Sequence, residues 1–273
     1  MTRRIDDLSA PISAHLRACT DLLLGSPERC ALFLDMDGTL LELAATPESV
    51  RVPEGLIPLL ERLSAHLGGA VAIISGRRIA DIDALLHPLS IATSGVHGAE
   101  IRRRPEEDIE RVETKLPDEI LKSVRALTAD MEGVLVEVKG PGLAVHYRLA
   151  PGAEALIHST LARALERSEE AFEILPGKKL FEIVPAGLSK GTALTAFANL
   201  PAFRHRVPIM IGDDIGDEAA FAIAESLDGF ALKVAGEHYG APDADFAGPG
   251  AVLRWLDRLA PRVHLPEQAA PRA

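Results

Sequence analysis

The sequence predicts an α/β protein, a Rossmann-like parallel sheet with an α+β lid inserted into it. Apolar runs of strand length, Ala31–Leu34, Ala70–Ile74 and Val207–Ile211, alternate with helical segments, which is the grammar of β-α-β units. Each run ends in acid, hydroxyl or glycine, so its reactive groups fall at the carboxyl edge of the sheet, where open α/β folds keep their ligands. Between Arg104 and Ile183 the order changes to paired short strands joined by Gly140-Pro141-Gly142 and Pro176-Gly177-Lys178, the mark of antiparallel hairpins.

In chain order, residues 1–29 read as an amphipathic lead-in of one or two helices with Ile12, Leu16, Leu22, Leu23 and Leu24 apolar, closed by Gly25-Ser26-Pro27 and packed on an edge of the core. Strand Ala31–Leu34 runs into Asp35-Met36-Asp37-Gly38-Thr39. Glu42–Arg51, with Pro47 and Glu48, reads as an irregular flap, followed by a helix from Pro53-Glu54 to Leu67 that Gly68-Gly69 stops. Strand Ala70–Ile74 leads to Ser75-Gly76-Arg77 and a helix holding Asp81, Ile82, Leu85 and Leu86. A short strand at Ser90–Ser94 enters Gly95-Val96-His97-Gly98. The insert then reads helix Pro117–Met131, strand Val134–Lys139, strand Leu143–Leu149, helix Gly152–Arg167, strand Ala171–Leu175 and strand Lys179–Val184. The α/β order resumes with a helix from Ser189, strand Val207–Ile211 ending in Gly212-Asp213-Asp214, helix Asp217–Leu227, strand Phe230–Val234 and a last helix at Ala251–Leu259. The expected division is a core at 1–103, a lid at 104–183 and the rest of the core at 184–273.

At 273 residues and 47% hydrophobic content the chain can bury a full core. Its net charge of −11 disfavours nucleic acid and anionic membrane as partners, and a monomer is expected. Two cysteines without a CxxC pattern argue against a disulfide framework or a structural zinc site. The N-terminus lacks the apolar core of a signal peptide, so the expected location is a reducing cytoplasm. No GxxxxGK[ST], GxGxxG or GxSxG motif is present, which removes P-loop, dinucleotide and serine-hydrolase readings.

The residues that could carry chemistry gather at strand ends. Period-two spacing aims Asp35 and Asp37 at one side, although Asp-Gly is also a common turn signal. Ser75 offers a hydroxyl and an amide at a helix start, an anion site or simply an N-cap. Lys190 stands at the first turn of a helix, where a cation opposes the dipole and suggests a local anion. Asp213, Asp214, Asp217 and Glu218 crowd carboxylates at another strand end. Such crowding asks for a metal, and hard oxygen ligands select magnesium.

Asp-x-Asp-Gly-Thr, then Ser75, Lys190 and Gly-Asp-Asp-x-x-Asp, in that order, resembles the four-motif set of the haloacid dehalogenase-like phosphatases. The resemblance implies Asp35 as the nucleophile that forms an aspartyl phosphate, and Asp37 as the acid and base. It also implies Ser75 and Lys190 as phosphoryl holders, and magnesium on Asp35, the Asp37 carbonyl and Asp213 with Asp214 or Asp217 in support.

Strand alternation then describes the lid. Val134, Val136, Val138, Leu143, Val145, Tyr147 and Leu149 are expected to face its helices, and Lys179, Phe181 and Ile183 to share one face. The open face gathers Glu137, Lys139, His146, Arg148, Lys178 and Glu182, a set suited to a hydroxyl-rich ligand such as a sugar. With Arg77 and His97 these form the expected substrate-binding residues. The segments GVHGAEI, VEVKGPGLAVHYR, LPGKKLFEIVP and GDDIGDEAAF resemble the trehalose-6-phosphate phosphatases, in which a Glu and a Lys two apart on one lid strand and a Glu on the last read sugar hydroxyls; these match Glu137, Lys139 and Glu182. Ile215-Gly216 departs from the Thr usual in that family. The alternatives are another sugar or glycerate phosphatase with the same lid, a silent sugar-phosphate sensor, or a receiver-like phospho-acceptor, which needs no such lid.

Overall fold

A computed structural model describes residues 13–44, 49–166 and 171–260. Helix α1 (Ala14–Gly25) starts at Ser13, whose hydroxyl accepts the Leu16 amide, and buries Leu16, Cys19 and Leu23 while Leu24 stays exposed. Ile12 of the expected lead-in lies outside the described residues, as do Pro47 and Glu48 of the flap. Strand β1 (Cys30–Leu34) is buried along its whole length, as a central parallel strand covered on both faces must be. Burying each of Leu32, Phe33 and Leu34 contributes about 1.5–3 kcal/mol, which fixes the strand that delivers Asp35.

The chain continues through α2 (Leu56–His66), β2 (Val71–Ile74), α3 (Ile79–Leu86), β3 (Ala92–Gly95), β4 (Glu100–Arg102) and β5 (Glu110–Arg111). A second group follows: α4 (Asp118–Thr128), β6 (Leu135–Lys139), β7 (Gly142–His146), α5 (Glu154–Leu165), β8 (Phe172–Gly177) and β9 (Leu180–Pro185). The last group is α6 (Lys190–Ala198), β10 (Val207–Gly212), α7 (Glu218–Ser226), β11 (Phe230–Lys233) and α8 (Pro249–Leu259). One sheet has the order β11-β10-β1-β2-β3-β4-β5, parallel from β11 to β3 and antiparallel at β4 and β5. The other is antiparallel throughout, β6-β7-β9-β8. Each sheet has its own apolar core, the larger around β1 and the smaller built by Ile120, Val124, Leu143, Val145, Ile157, Leu161, Phe181 and Ile183. This is the Rossmann-like core with an α+β lid that the sequence predicts, although β5, within the stretch read as lid, pairs in the large sheet.

Several local expectations are corrected. Helix α3 starts at Ile79, so Ser75 is not at a helix N-terminus; its amide donates to Ser94 O in the parallel ladder and only its hydroxyl is left for a ligand. Strand β7 stops at His146, which leaves Leu149 72% exposed rather than in the lid core, and Val138 is exposed at the end of an edge strand. The β8–β9 hairpin runs further than the Pro-Gly signal suggests. Gly177 pairs with Leu180, so the turn is Lys178-Lys179, and Lys179 takes φ +56° at the tip instead of joining the face of Phe181 and Ile183.

Candidate active site

Asp35 leaves β1 with its amide bonded to Ile211 O of β10, so two adjacent strands set its position. The residue is 3% exposed. Oδ1 accepts from Lys190 Nζ at 2.6 Å and Oδ2 from the Thr39 hydroxyl at 3.1 Å. Burial works against ionisation of Asp35, but Lys190 and Lys178 outweigh it and hold the carboxyl below its ordinary range.

Lys190 is the first residue of α6. Ser189 caps that helix through a reciprocal pair of bonds with Thr192, which turns the lysine inward. Its ammonium also donates to Asp217 Oδ1 at 2.6 Å. Burial again opposes the charge, and Asp217 and Asp35 more than restore it, so the lysine's pKa lies well above the ordinary value. Asp217 accepts the amides of Asp213 and Asp214 through Oδ2, both at 3.0 Å, which folds the loop after β10 back on itself. Asp35, Asp213 and Asp217 are all buried, with one carboxylate oxygen of each within 4.8 Å of the others. Burial first and Asp35 second push Asp213 up to about 7 and Asp217 up to about 6. Asp214 stands outside this cluster, because its carboxylate accepts the Ile215 amide and starts the turn into α7. Of the two acids left open in the sequence, Asp217 joins the cluster.

Asp37 points its side chain elsewhere. Both oxygens are held by the Arg77 guanidinium, at 2.5 and 2.8 Å, and the Arg77 amide donates to Ser75 Oγ at 3.2 Å. The Asp37 carbonyl instead accepts Lys178 Nζ at 2.5 Å, and the same ammonium donates to Asp213 Oδ1 at 2.6 Å. Lys178 was expected on the lid face among sugar readers. The hairpin tip that corrected its turn also carries it down to the strand ends of the other sheet.

The remaining lid residues form one network. Glu182, on β9, accepts Lys139 Nζ at 2.9 Å with Oε1 and His97 Nε2 with Oε2. Both Lys139 and Glu182 are buried. Burial raises the Glu182 carboxyl, but His97 and Lys139 together hold it far below the usual range. Lys139 shows the converse, burial against it and Glu182 then Glu137 in its favour, with its pKa raised. Glu137 accepts His146 Nε2 at 2.9 Å and stands 3.7 Å from Lys139. Arg148 departs from the expectation of a free sugar reader: it donates to Glu237 at 2.7 Å, across to the large sheet's side, and to Lys178 O at 3.2 Å. His97 has φ +53° and a buried Nδ1 without a hydrogen-bond partner.

A single cavity of about 470 Å³ touches Asp35, Ser75, Arg77, His97 and Lys190 from one side and Glu137, Lys139, His146 and Glu182 from the other. Sequence reasoning missed two residues. Thr39, whose hydroxyl lies 3.1 Å from Asp35 and 3.4 Å from Asp213, was legible as part of Asp-Gly-Thr, whereas Glu237 lies in the loop after β11 and carries no motif. The donor set suits a hard divalent cation: three buried carboxylates, the Asp37 carbonyl, and a glycine at 38 with φ +85° where a methyl group would collide with Asp213.

Solved structures share the fold. The chain superposes on the C-terminal domain of C. albicans trehalose-6-phosphate phosphatase with a TM-score of 0.78 at 19% identity, covering 93% of this chain and 99% of that one. A haloacid dehalogenase-like hydrolase from Bacteroides thetaiotaomicron matches at TM-score 0.60 and 15% identity over 84% and 98% of the two chains. The fold is that of the haloacid dehalogenase-like hydrolases. The trehalose-phosphatase family model matches residues 33–242. A probable trehalose-phosphate phosphatase of Sinorhizobium fredii is 42% identical over 205 residues, 75% of this chain and 77% of its own. The trehalose-6-phosphate phosphatase of Escherichia coli is 36% identical over 249 residues, 88% and 91% of the two chains. The chain belongs to the trehalose-phosphatase family and is a phosphoric monoester hydrolase. Among the described residues, no helix is long and apolar enough to cross a membrane.

Proposed function

We propose that the chain hydrolyses trehalose 6-phosphate to trehalose and phosphate, with magnesium bound, through an aspartyl phosphate on Asp35. The observation that carries this reading is the shared cavity, which joins an ionised, buried Asp35 to a lid network of Glu137, Lys139 and Glu182. Membership of the trehalose-phosphatase family supports the choice of substrate.

Asp35 attacks phosphorus with a carboxylate oxygen, and the phosphorus–oxygen bond to the sugar breaks. The sugar oxygen takes a proton from Asp37, which must first rotate out of the Arg77 fork. Asp37 then removes a proton from water, and that water attacks phosphorus and releases phosphate and free Asp35. Thr39 fixes the Asp35 rotamer, while Ser75 and Lys190 bind the phosphoryl oxygens. Asp35, Asp213 and the Asp37 carbonyl would hold magnesium, with Asp217 in support, and the ion would neutralise charge as one anion approaches another. Away from phosphorus, Lys139, Glu182 and Glu137 hold sugar hydroxyls, and His97 steadies Glu182 from behind. Cys19 and Cys30, buried as free thiols, suit a reducing cytoplasm as the place of action.

The test is phosphate release across sugar phosphates with and without magnesium. Trehalose 6-phosphate should turn over best. A preference for glucose 6-phosphate or a glycerate phosphate would overturn the substrate, and the absence of any turnover would leave a sensor.

A further inference from the structure

Lys178 sits in an unusual place for a lid residue. Its ammonium lies 2.5 Å from the Asp37 carbonyl and 2.6 Å from Asp213 Oδ1, two of the oxygens assigned above to magnesium, and 2.5 Å from Asp213 Oδ2 as well. Magnesium binds oxygen at about 2.0–2.1 Å, so the ammonium is only about half an ångström further out than the ion would be. Both cannot occupy the pocket. The room around Gly38, where a methyl group would strike both Asp213 and Lys178, is small and already filled.

We propose that Lys178 is a built-in substitute for the divalent cation, carried on the lid, which the ion must displace and which then moves to the phosphoryl oxygens of the substrate. The inference rests on the magnesium reading of the site. Charge supports it: with Lys178 in place, three buried carboxylates face two ammonium groups, and exchanging it for a doubly charged ion brings the cluster to neutrality. Adding the ion without moving the lysine would overcharge a buried pocket, whereas an arriving phosphoryl anion gives the displaced lysine a new partner. Arg148 holds the hairpin tip in place by donating to Lys178 O and to Glu237, so the lysine's position is tied to the lid's. Because such coupling is reciprocal, metal binding and lid position are linked: metal alone loosens the lid, and metal with a phosphoryl group fastens it again.

The test measures magnesium binding to the full chain by calorimetry, with metal alone and then with inorganic phosphate, for the parent, Lys178→Met and Glu237→Gln. With metal alone, Lys178→Met should bind at least about tenfold more tightly than the parent, a usual size for coupling between sites. Its melting temperature in chelator should fall, since three carboxylates are left facing one ammonium, and magnesium should restore it. Glu237→Gln frees the hairpin tip without touching a metal ligand and should tighten binding by about two- to fivefold, the scale of an exposed ion pair. Phosphate should strengthen magnesium binding in the parent and lose that effect in Lys178→Met. Equal magnesium affinity in all three proteins overturns the inference alone. If none of them binds magnesium, the metal reading of the site falls with it.

Discussion

Glu182→Gln separates recognition from chemistry. The wild-type carboxylate holds two buried donors, Lys139 Nζ at 2.9 Å and His97 Nε2, and the amide keeps an oxygen for Lys139 but turns an NH₂ toward the imidazole. Hydrogen bonds to charged groups contribute about 1.5–3 kcal/mol each, so the variant should lose about 1–3 kcal/mol of stability. At about 2–4 °C per kcal/mol for a chain of this size, the melting temperature should drop by roughly 2–12 °C. Activity should fall selectively, because a neutral amide holds Lys139 more weakly than a carboxylate and no longer accepts from His97, so the ammonium is less firmly placed to hold a sugar hydroxyl. The expected loss in kcat/KM for trehalose 6-phosphate is about ten- to a hundredfold, at 1.4 kcal/mol per decade, against less than about threefold for p-nitrophenyl phosphate, which has no sugar to hold. The stability gap should also depend on pH. A carboxyl whose folded value lies below its ordinary 4.5 contributes fully above that pH and loses its contribution as the pH falls toward the folded value, so parent and variant should converge below pH 4.5. Steady-state kinetics on both esters and melting curves across pH read all three effects. Equal losses on the two substrates would refute the reasoning, since Glu182 would then serve folding or the reaction itself.

Asp35→Asn should abolish turnover, because an amide does not attack phosphorus. It should melt near the parent temperature in chelator, since it removes one of three clustered carboxylates; substantial residual activity would sink the covalent route. Excess chelator should stop turnover reversibly, and an undiminished rate would remove the metal from the reaction. Glu137→Ala, half-buried and bonded chiefly to His146, should cost roughly tenfold on the disaccharide ester with little change in melting, and a matching loss on p-nitrophenyl phosphate would contradict its role. Gly38→Ala needs φ +85° and a methyl group in the space of Asp213 and Lys178; it should destabilise by about 1–3 kcal/mol and depress turnover, and an unchanged melting curve would disprove the crowding.

What could be read in the sequence was whatever local chemistry dictates. The apolar run before Asp35 announced a buried strand, and a helix starting at Ser189 was legible as the carrier of Lys190. Alternation likewise put Glu137, Lys139 and Glu182 on one face, and all three line the cavity. Its limits are equally local. Alternation has no information about where a strand stops, so it carries Leu149 past the end of β7, and Pro176-Gly177-Lys178 signals a turn that the hairpin makes at Lys178-Lys179. Contacts between the two sheets, Lys178 with Asp213 and Arg148 with Glu237, join positions 35 and 89 apart in the chain, and no periodicity reports them.

The two separate apolar cores have a consequence for how such a protein changes over generations. Side chains such as Ile157 and Leu161 support the lid sheet alone, while Leu32 and Phe33 support the strand that presents Asp35. Replacements that reshape the lid therefore leave the packing beneath the nucleophile untouched, and the hazard of losing the reaction while trying out a new ligand is small. A lineage built this way can keep one chemistry and diversify what it is applied to.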